Sequence, residues 1–336
     1  MAPRPPRSRR LLRTLLAALV TASVAVPVSG AARPAAVPAP APTALGPLRD
    51  ATTPAALARR YATTRADIRA AERTADAHGD HRRAAALHTL AAPTRHFLTF
   101  DGRDGGRATE VHGDLAHADR IAVLVPGSDT GLDTYPRFRA GAEALLRQLR
   151  RQPGIHPAVL AWLGYPTPAT VSPAALTTTR ADHAAPQLRE FTGQLRALRP
   201  TARISLLCHS YGSVVCGRAA AGLPAGTALV LYGSPGTGAD TAAGLHTRAT
   251  VWAARGTDDW IARVPHVRLP LPGTTAGFGT DPVSARFGAR VFPAGTGGHS
   301  AYLRPGTLSL TNLALITAGR PPVATQDTTS GEAPRA

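Results

Sequence analysis

The sequence predicts an α/β fold: a mostly parallel central sheet flanked by helices. From residue 95 onward, short apolar runs alternate with helical stretches. Strands that are apolar on both faces belong to a parallel sheet covered on both sides. The chain has 336 residues, 43% of them hydrophobic, enough for one large domain with a sizeable core. Its 32 Gly and 31 Pro follow no three-residue period, so they supply turns rather than a collagen helix. Two Cys exclude a disulfide scaffold and a cysteine-rich zinc module.

The elements follow in chain order. Thr53-Pro54 opens a helix, with Thr as cap and Pro at the first helical position. Leu57, Tyr61, Ile68, Ala71 and Ala75 recur at helical spacing. Gly79 ends that helix and Asp80 caps a second one running to about Leu90. Residues 96–100 and 107–112 read as a hairpin around Asp101-Gly102-Arg103-Asp104-Gly105-Gly106. That turn lacks the spacing of a calcium-binding EF-hand loop. Buried strands are expected at 121–125, 158–163, 204–207, 228–232 and 250–254. Helices are expected at 135–149, 173–198, 211–221 and 307–316.

The first 31 residues read as a secretory signal peptide. Arg4, Arg7, Arg9, Arg10 and Arg13 precede an apolar stretch from Thr14 to Val26, and Ser29-Gly30-Ala31 offers a cleavage site. Ser8-Arg9-Arg10-Leu11-Leu12 is similar to a twin-arginine signal. Residues 32–50 read as an Ala/Pro linker, 51–319 as the main domain with a helical pair at 51–90, and 320–336 as a disordered tail. The formal charge is +17, with Arg as the only strong cation, and loss of five leader arginines leaves +12. This sign fits contact with an anionic cell surface. The arginines are scattered without interleaved aromatics, which argues against nucleic-acid binding. No apolar run is long enough for stable membrane insertion.

The most informative segment is Ile204-Ser205-Leu206-Leu207-Cys208-His209-Ser210-Tyr211-Gly212-Ser213. A serine between an apolar strand and a helix is the setting of a nucleophile elbow, whose pattern is G-x-S-x-G. The sharp turn needs small neighbours two residues before and after the serine. Gly212 fits, and Cys208 stands where the first Gly is usual. An ordinary strand-to-helix turn with Ser210 as the cap would look similar, so the partners decide. Serine at its free pKa is a poor nucleophile and needs a His to take its proton, with a carboxylate to hold the imidazole. Residues 250–254 lead to Asp258 and Asp259, and Gly297-Gly298-His299 forms a loop before the last helix. Asp259 is the preferred acid, because it stands three residues after Gly256 and precedes the apolar pair Trp260-Ile261. His266 is a weaker base candidate. His209 should face away from the nucleophile and pack. Pro126-Gly127-Ser128 follows the third strand, and the N–H groups of Ser128 and Tyr211 are the candidate oxyanion-hole donors.

Together these residues resemble an α/β-hydrolase family, a domain of unknown function abundant in high-GC bacteria. The similar features are Val125-Pro126-Gly127, Ala161-Trp162-Leu163-Gly164-Tyr165, His209-Ser210-Tyr211-Gly212-Ser213, Tyr232-Gly233-Ser234-Pro235-Gly236, Phe287-Gly288-Ala289-Arg290 and Gly298-His299-Ser300-x-Tyr302. They cover about residues 95–318. The resemblance implies the α/β-hydrolase fold and a Ser-Asp-His site carried by Ser210, Asp259 and His299, without implying a substrate.

Gly233–Gly238 is not a nucleotide loop: its glycine spacing is wrong and the chain has no Lys for a P-loop. No cofactor or metal is expected. Cys208 and Cys216 are read as two buried free thiols beneath the elbow, since disulfide geometry is narrow. The functional reading is a secreted serine hydrolase that cleaves an ester, or an amide or thioester, of a small or lipid-like substrate through an acyl-enzyme. Acyl transfer would use the same site. A reading from another class is a non-catalytic secreted protein of this fold that binds acidic surface polymers through Arg.

Overall fold

The computed structural model describes residues 38–272 and 274–324. The expected signal segment, the linker up to residue 37 and the tail from 325 lie outside the described residues. Helix α1 (Pro54–Ala77) starts where Thr53 accepts a hydrogen bond from the Ala56 N–H, and α2 (His81–Leu90) starts where Asp80 accepts one from Arg83. Residues 43–51 lie against the helices: Thr43 bonds Asp67, the Leu48 N–H donates to Gln194 at 2.7 Å, and Leu48 is buried.

The sheet has eight strands: β1 (His96–Asp101), β2 (Arg107–Gly113), β3 (Arg120–Val125), β4 (Pro157–Leu163), β5 (Arg203–His209), β6 (Ala228–Tyr232), β7 (Thr250–Ala254) and β10 (Arg290–Val291). Their spatial order is β1-β2-β4-β3-β5-β6-β7-β10. The hairpin strands β1 and β2 run antiparallel to each other, β2 is antiparallel to β4, and the rest are parallel. The mostly parallel sheet is the one the apolar runs predict, and the fold is the α/β-hydrolase fold that the resemblance implies. A separate two-stranded hairpin, β8 (Leu269–Leu271) with β9 (Thr274–Ala276), and the short β10 were not read from the sequence. Three-residue and two-residue strands carry too little pattern to register.

Successive residues of the strands are buried on alternate faces, as a doubly covered sheet requires. Ile121, Val123 and Val125 of β3 join one core layer with α4 (Thr179–Leu198) and α5 (Tyr211–Ala219). Ala122 and Leu124 join the other, with α3 (Tyr135–Arg150) and α6 (Leu308–Ala318). The expected long helix over 173–198 is instead a short 3₁₀ turn, Pro173–Leu176, followed by α4. No helix among the described residues is long and apolar enough to cross a membrane. The carboxyl ends of the parallel strands β3, β5, β6 and β7 open on one edge. Open α/β sheets carry their ligand crevices at that edge.

Candidate active site

Strand β5 ends at His209 and α5 begins at Tyr211, so Ser210 alone makes the turn. Its backbone sits at φ 51°, ψ −126°, a region that L-residues avoid. Such strain costs about 1–3 kcal/mol and persists only where the surroundings over-determine it. Here they do. The Ser210 N–H donates to the Tyr232 carbonyl at 3.1 Å, the Ser213 N–H returns to the Ser210 carbonyl at 2.8 Å, and the Ser213 hydroxyl donates to the Cys208 carbonyl at 3.0 Å. Two glycines let the backbone close in. A Cβ on Gly212 would come within 2.5 Å of the Val125 carbonyl, and one on Gly127 within 2.7 Å of the Ser210 Cβ. The turn after β3 therefore presses directly on the elbow.

Cys208 and Cys216 form a disulfide, which corrects the expectation of free thiols. The elbow folds α5 back over the end of β5 and brings the two Cα atoms to 6.4 Å, inside the range a disulfide spans. A separation of eight residues along the chain says nothing of that fold-back. Both sulfurs are buried, so Cys208 occupies the position usual for glycine as half of a staple beneath the elbow.

The loop after β7 and the loop before α6 meet at Ser210. His299 Nε2 lies 2.9 Å from Ser210 Oγ, and His299 Nδ1 lies 2.9 and 3.0 Å from the two oxygens of Asp259. The Asp259 side chain is fully enclosed, and Asp258 is exposed, with a neighbouring Thr257 hydroxyl its one donor among the described residues. Asp259 also accepts the Ile261 N–H at 2.9 Å and the Tyr302 hydroxyl at 2.5 Å. Burial works to raise the Asp259 pKa. The hydrogen bonds from His299, Tyr302 and Ile261 outweigh it and hold the carboxyl below its ordinary value. An ionised Asp259 makes His299 Nδ1 the protonated nitrogen, so Nε2 turns its lone pair to the Ser210 hydroxyl. Ile261 is buried beside the pair, and the Trp260 ring lies 4.6 Å from the imidazole, which narrows the access of water to this chain of bonds.

Two groups at the site do more than the sequence indicated. The Tyr302 hydroxyl donates to Asp259 while accepting the Gly256 N–H at 3.0 Å, joining the acid loop to the histidine loop. Burial and the neighbouring carboxylate raise its pKa, so it stays protonated and keeps donating. His209 packs against Tyr232, His299 and Tyr302, but it lines the same cleft as Ser210 instead of facing away from it. Its Nε2 lies 2.8 Å from the His299 carbonyl. A carbonyl only accepts, so this nitrogen carries the proton. Burial and the nearby His299 lower the His209 pKa to about 4, which keeps the ring neutral. A histidine beside the nucleophile was visible in the sequence, but its bond across 90 residues was not. The other base candidate, His266, turns away: its Nδ1 donates to the Pro235 carbonyl at 3.1 Å, and its Nε2 lies 3.7 Å from Asp281.

Ser210 and His299 open on a cleft of about 610 Å³ that Ser128 also lines. Tyr211 is the first residue of α5, so its N–H has no intrahelical acceptor and stands beside the Ser210 hydroxyl. Ser128 directly follows the Gly127 that touches Ser210. Its preceding carbonyl frame is pinned by the Tyr165 hydroxyl, which donates to the Pro126 carbonyl at 2.7 Å. Among the described residues no group of three or more His, Cys, Asp or Glu is arranged to hold a metal ion.

The family model described as alpha/beta hydrolase matches residues 101–269, half of the chain, and spans the elbow and Asp259. Similar solved structures include an α/β serine hydrolase without a lid from Xanthomonas campestris, at 20% identity and TM-score 0.42 over 68% of this chain and 95% of that one. A dienelactone hydrolase from Anabaena variabilis matches at 17% identity and TM-score 0.43, over 68% of this chain and 96% of that one. An esterase from Mycobacterium marinum matches at 15% identity and TM-score 0.41, over 83% and 96%. A search of curated proteins finds no match. On the match over residues 101–269, the chain belongs to the alpha/beta hydrolase family.

Proposed function

We propose that the protein is an exported serine hydrolase that cleaves an ester through Ser210, His299 and Asp259. The observation that carries this reading is the unbroken series of hydrogen bonds from the Asp259 carboxylate through His299 to the Ser210 hydroxyl, at a strained elbow facing a cleft. His299 Nε2 takes the Ser210 proton as Oγ attacks the acyl carbon, and Asp259 stabilises the imidazolium. The negative charge moves to the acyl oxygen, where the N–H groups of Ser128 and Tyr211 receive it. One such donor typically lowers the barrier by about 3–4 kcal/mol. His299 then gives the proton to the leaving alcohol, which departs and leaves the acyl-enzyme. Water, deprotonated by the same His299, releases the acid and restores Ser210. An amide, a thioester or an acceptor other than water would use the same steps.

The test is labelling by a fluorophosphonate, which reacts only with an activated serine. Stoichiometric labelling of the wild type is expected, and its absence would leave a non-catalytic binding protein of this fold.

His209 acts as a positioning residue in this reading, holding the backbone of the loop that delivers His299. His209→Phe keeps the aromatic packing and deletes the donor. It is expected to lower kcat toward a 4-nitrophenyl ester by about 10- to 100-fold, since small misplacements of a base are costly. His209→Gln, which retains an N–H donor, should recover most of that loss. Equal turnover of His209→Phe and wild type would remove this role.

Export rests on the ordered basic, apolar and cleavage regions of residues 1–31, with the catalytic domain at 51–319. The Cys208–Cys216 disulfide supports it, because such bonds persist in oxidising compartments. Extracellular protein should begin at or near Ala32. Extracellular material retaining Met1 in its mass would contradict this.

A further inference from the structure

The polar groups that line the cleft divide into those already used within the protein and those left over. Both carboxylates are used. Asp129 accepts the Thr170 N–H at 3.0 Å and the Thr170 hydroxyl at 2.5 Å, one on each oxygen. Asp133 accepts a two-pronged bond from Arg83, at 2.7 and 3.0 Å. The Thr134 hydroxyl donates to the Asp129 carbonyl and accepts the Gly131 N–H. The Tyr302 hydroxyl belongs to Asp259.

Besides the Ser128 and Ser300 hydroxyls, two larger donors are left over. Arg137, in the first turn of α3, lines the cleft and makes no hydrogen bond or ion pair among the described residues. Tyr232 lines the same cleft with only 3% of its surface exposed, and its hydroxyl has no protein partner among the described residues. The ring of Tyr232 is held between His209 and Tyr302, at centroid distances of 5.2 and 5.3 Å, so its hydroxyl is fixed in place. Burial raises its pKa, and it remains a donor at neutral pH. A guanidinium can only donate. The Tyr232 hydroxyl therefore meets the contents of the cleft rather than a group of the protein. Phe138 and Leu303 line the cleft as well and supply an apolar surface for a short methylene chain.

We propose that the cleft takes an ester whose acyl chain ends in a carboxylate, received by Arg137 and the Tyr232 hydroxyl while the ester carbonyl lies at Ser210. This rests on the serine hydrolase reading above and names its substrate class. Of the cleft's own carboxylates, Asp133 is neutralised by its ion pair with Arg83, and Asp129 is held by Thr170. The positive end of α3, at whose first turn Arg137 stands, adds to the attraction.

The experiment compares two esters of one chain length: 4-nitrophenyl hexanoate and the mono-4-nitrophenyl ester of adipate, which differ in a terminal carboxylate. Wild type is expected to favour the adipate ester at least tenfold in kcat/KM, with the difference in KM and shrinking as salt is added. Arg137→Gln should reduce that ratio about tenfold or more, as expected for loss of a hydrogen bond to a charged group. Tyr232→Phe should reduce it severalfold. Arg137 is exposed, so its variant tests the proposal even if the Tyr232 variant fails to fold. Adipate should inhibit competitively and inorganic phosphate should not; the reverse order overturns the carboxylate. Equal kcat/KM for the two esters, with normal fluorophosphonate labelling, overturns the substrate class alone. No labelling and no turnover of either ester overturns the hydrolase reading itself.

Discussion

Ser210→Ala is expected to abolish fluorophosphonate labelling and to lower ester turnover by about 10⁶-fold, the loss seen when a triad serine is deleted from a comparable series. The residual rate would come from binding and from the Ser128 and Tyr211 donors, which the substitution leaves in place. The variant should fold. Alanine meets the same positive φ as serine, and the hydroxyl it removes bonds only His299 among the described residues. Its thermal midpoint should equal or exceed that of wild type. Ser210→Gly should be more stable still, because glycine carries no penalty at φ 51°. A labelled Ser210→Ala variant would show that another residue reacts and would end the assignment. A variant that loses activity together with its fold would be uninformative, so activity and unfolding are measured on one preparation.

Asp259→Asn is expected to lower turnover by about 10⁴-fold, the serine-protease precedent for an asparagine that favours the wrong histidine tautomer. The substitution is nearly isosteric, yet the site is intolerant. Three donors converge on the Asp259 carboxylate: His299 Nδ1, the Tyr302 hydroxyl and the Ile261 N–H. An amide can accept through one oxygen only, so its NH₂ must face a donor or force His299 to present a bare Nδ1. In that tautomer Nε2 carries the proton and cannot accept one from Ser210. Asp258→Asn is the control. Its side chain is exposed and remote from these bonds, so turnover should stay within about twofold of wild type, as for surface changes in general. A large fall for Asp258→Asn with little change for Asp259→Asn would reverse the choice of acid.

Much of this was legible in the residues alone because the signals are local. The apolar runs 121–125, 228–232 and 250–254 lie on strands of nearly the same bounds. Continuous apolarity over five residues between turns leaves few alternatives in a chain that alternates strand and helix. Thr53 and Asp80 each cap a helix as their side chains predict, since a cap is decided within three residues. Ser210 could be singled out for the same reason: the strand, the turn residue and the following Gly212 are contiguous. The choice of Asp259 over Asp258 used spacing from Gly256, and it is Asp259 that the folded chain carries to His299.

What only the tertiary structure decided involves partners far apart in sequence. His209 reaches the His299 carbonyl across 90 residues and Tyr302 reaches Asp259 across 43, and no local pattern encodes either. Cys208 and Cys216 are close in sequence, but their pairing depends on how sharply α5 folds back over β5, so local spacing argued for free thiols and the fold joined them. The short strands β8, β9 and β10 are held by neighbours rather than by their own pattern. The division of cleft groups into used and unused required every bond to be known. Asp133 is paired with Arg83 across 50 residues and Asp129 is held by Thr170 across 41, contacts that no local pattern encodes. Sequence sets the residue types and their local geometry. Which polar groups remain for a ligand is decided by long-range packing, because a hydrogen bond satisfied inside the protein is no longer offered outside it.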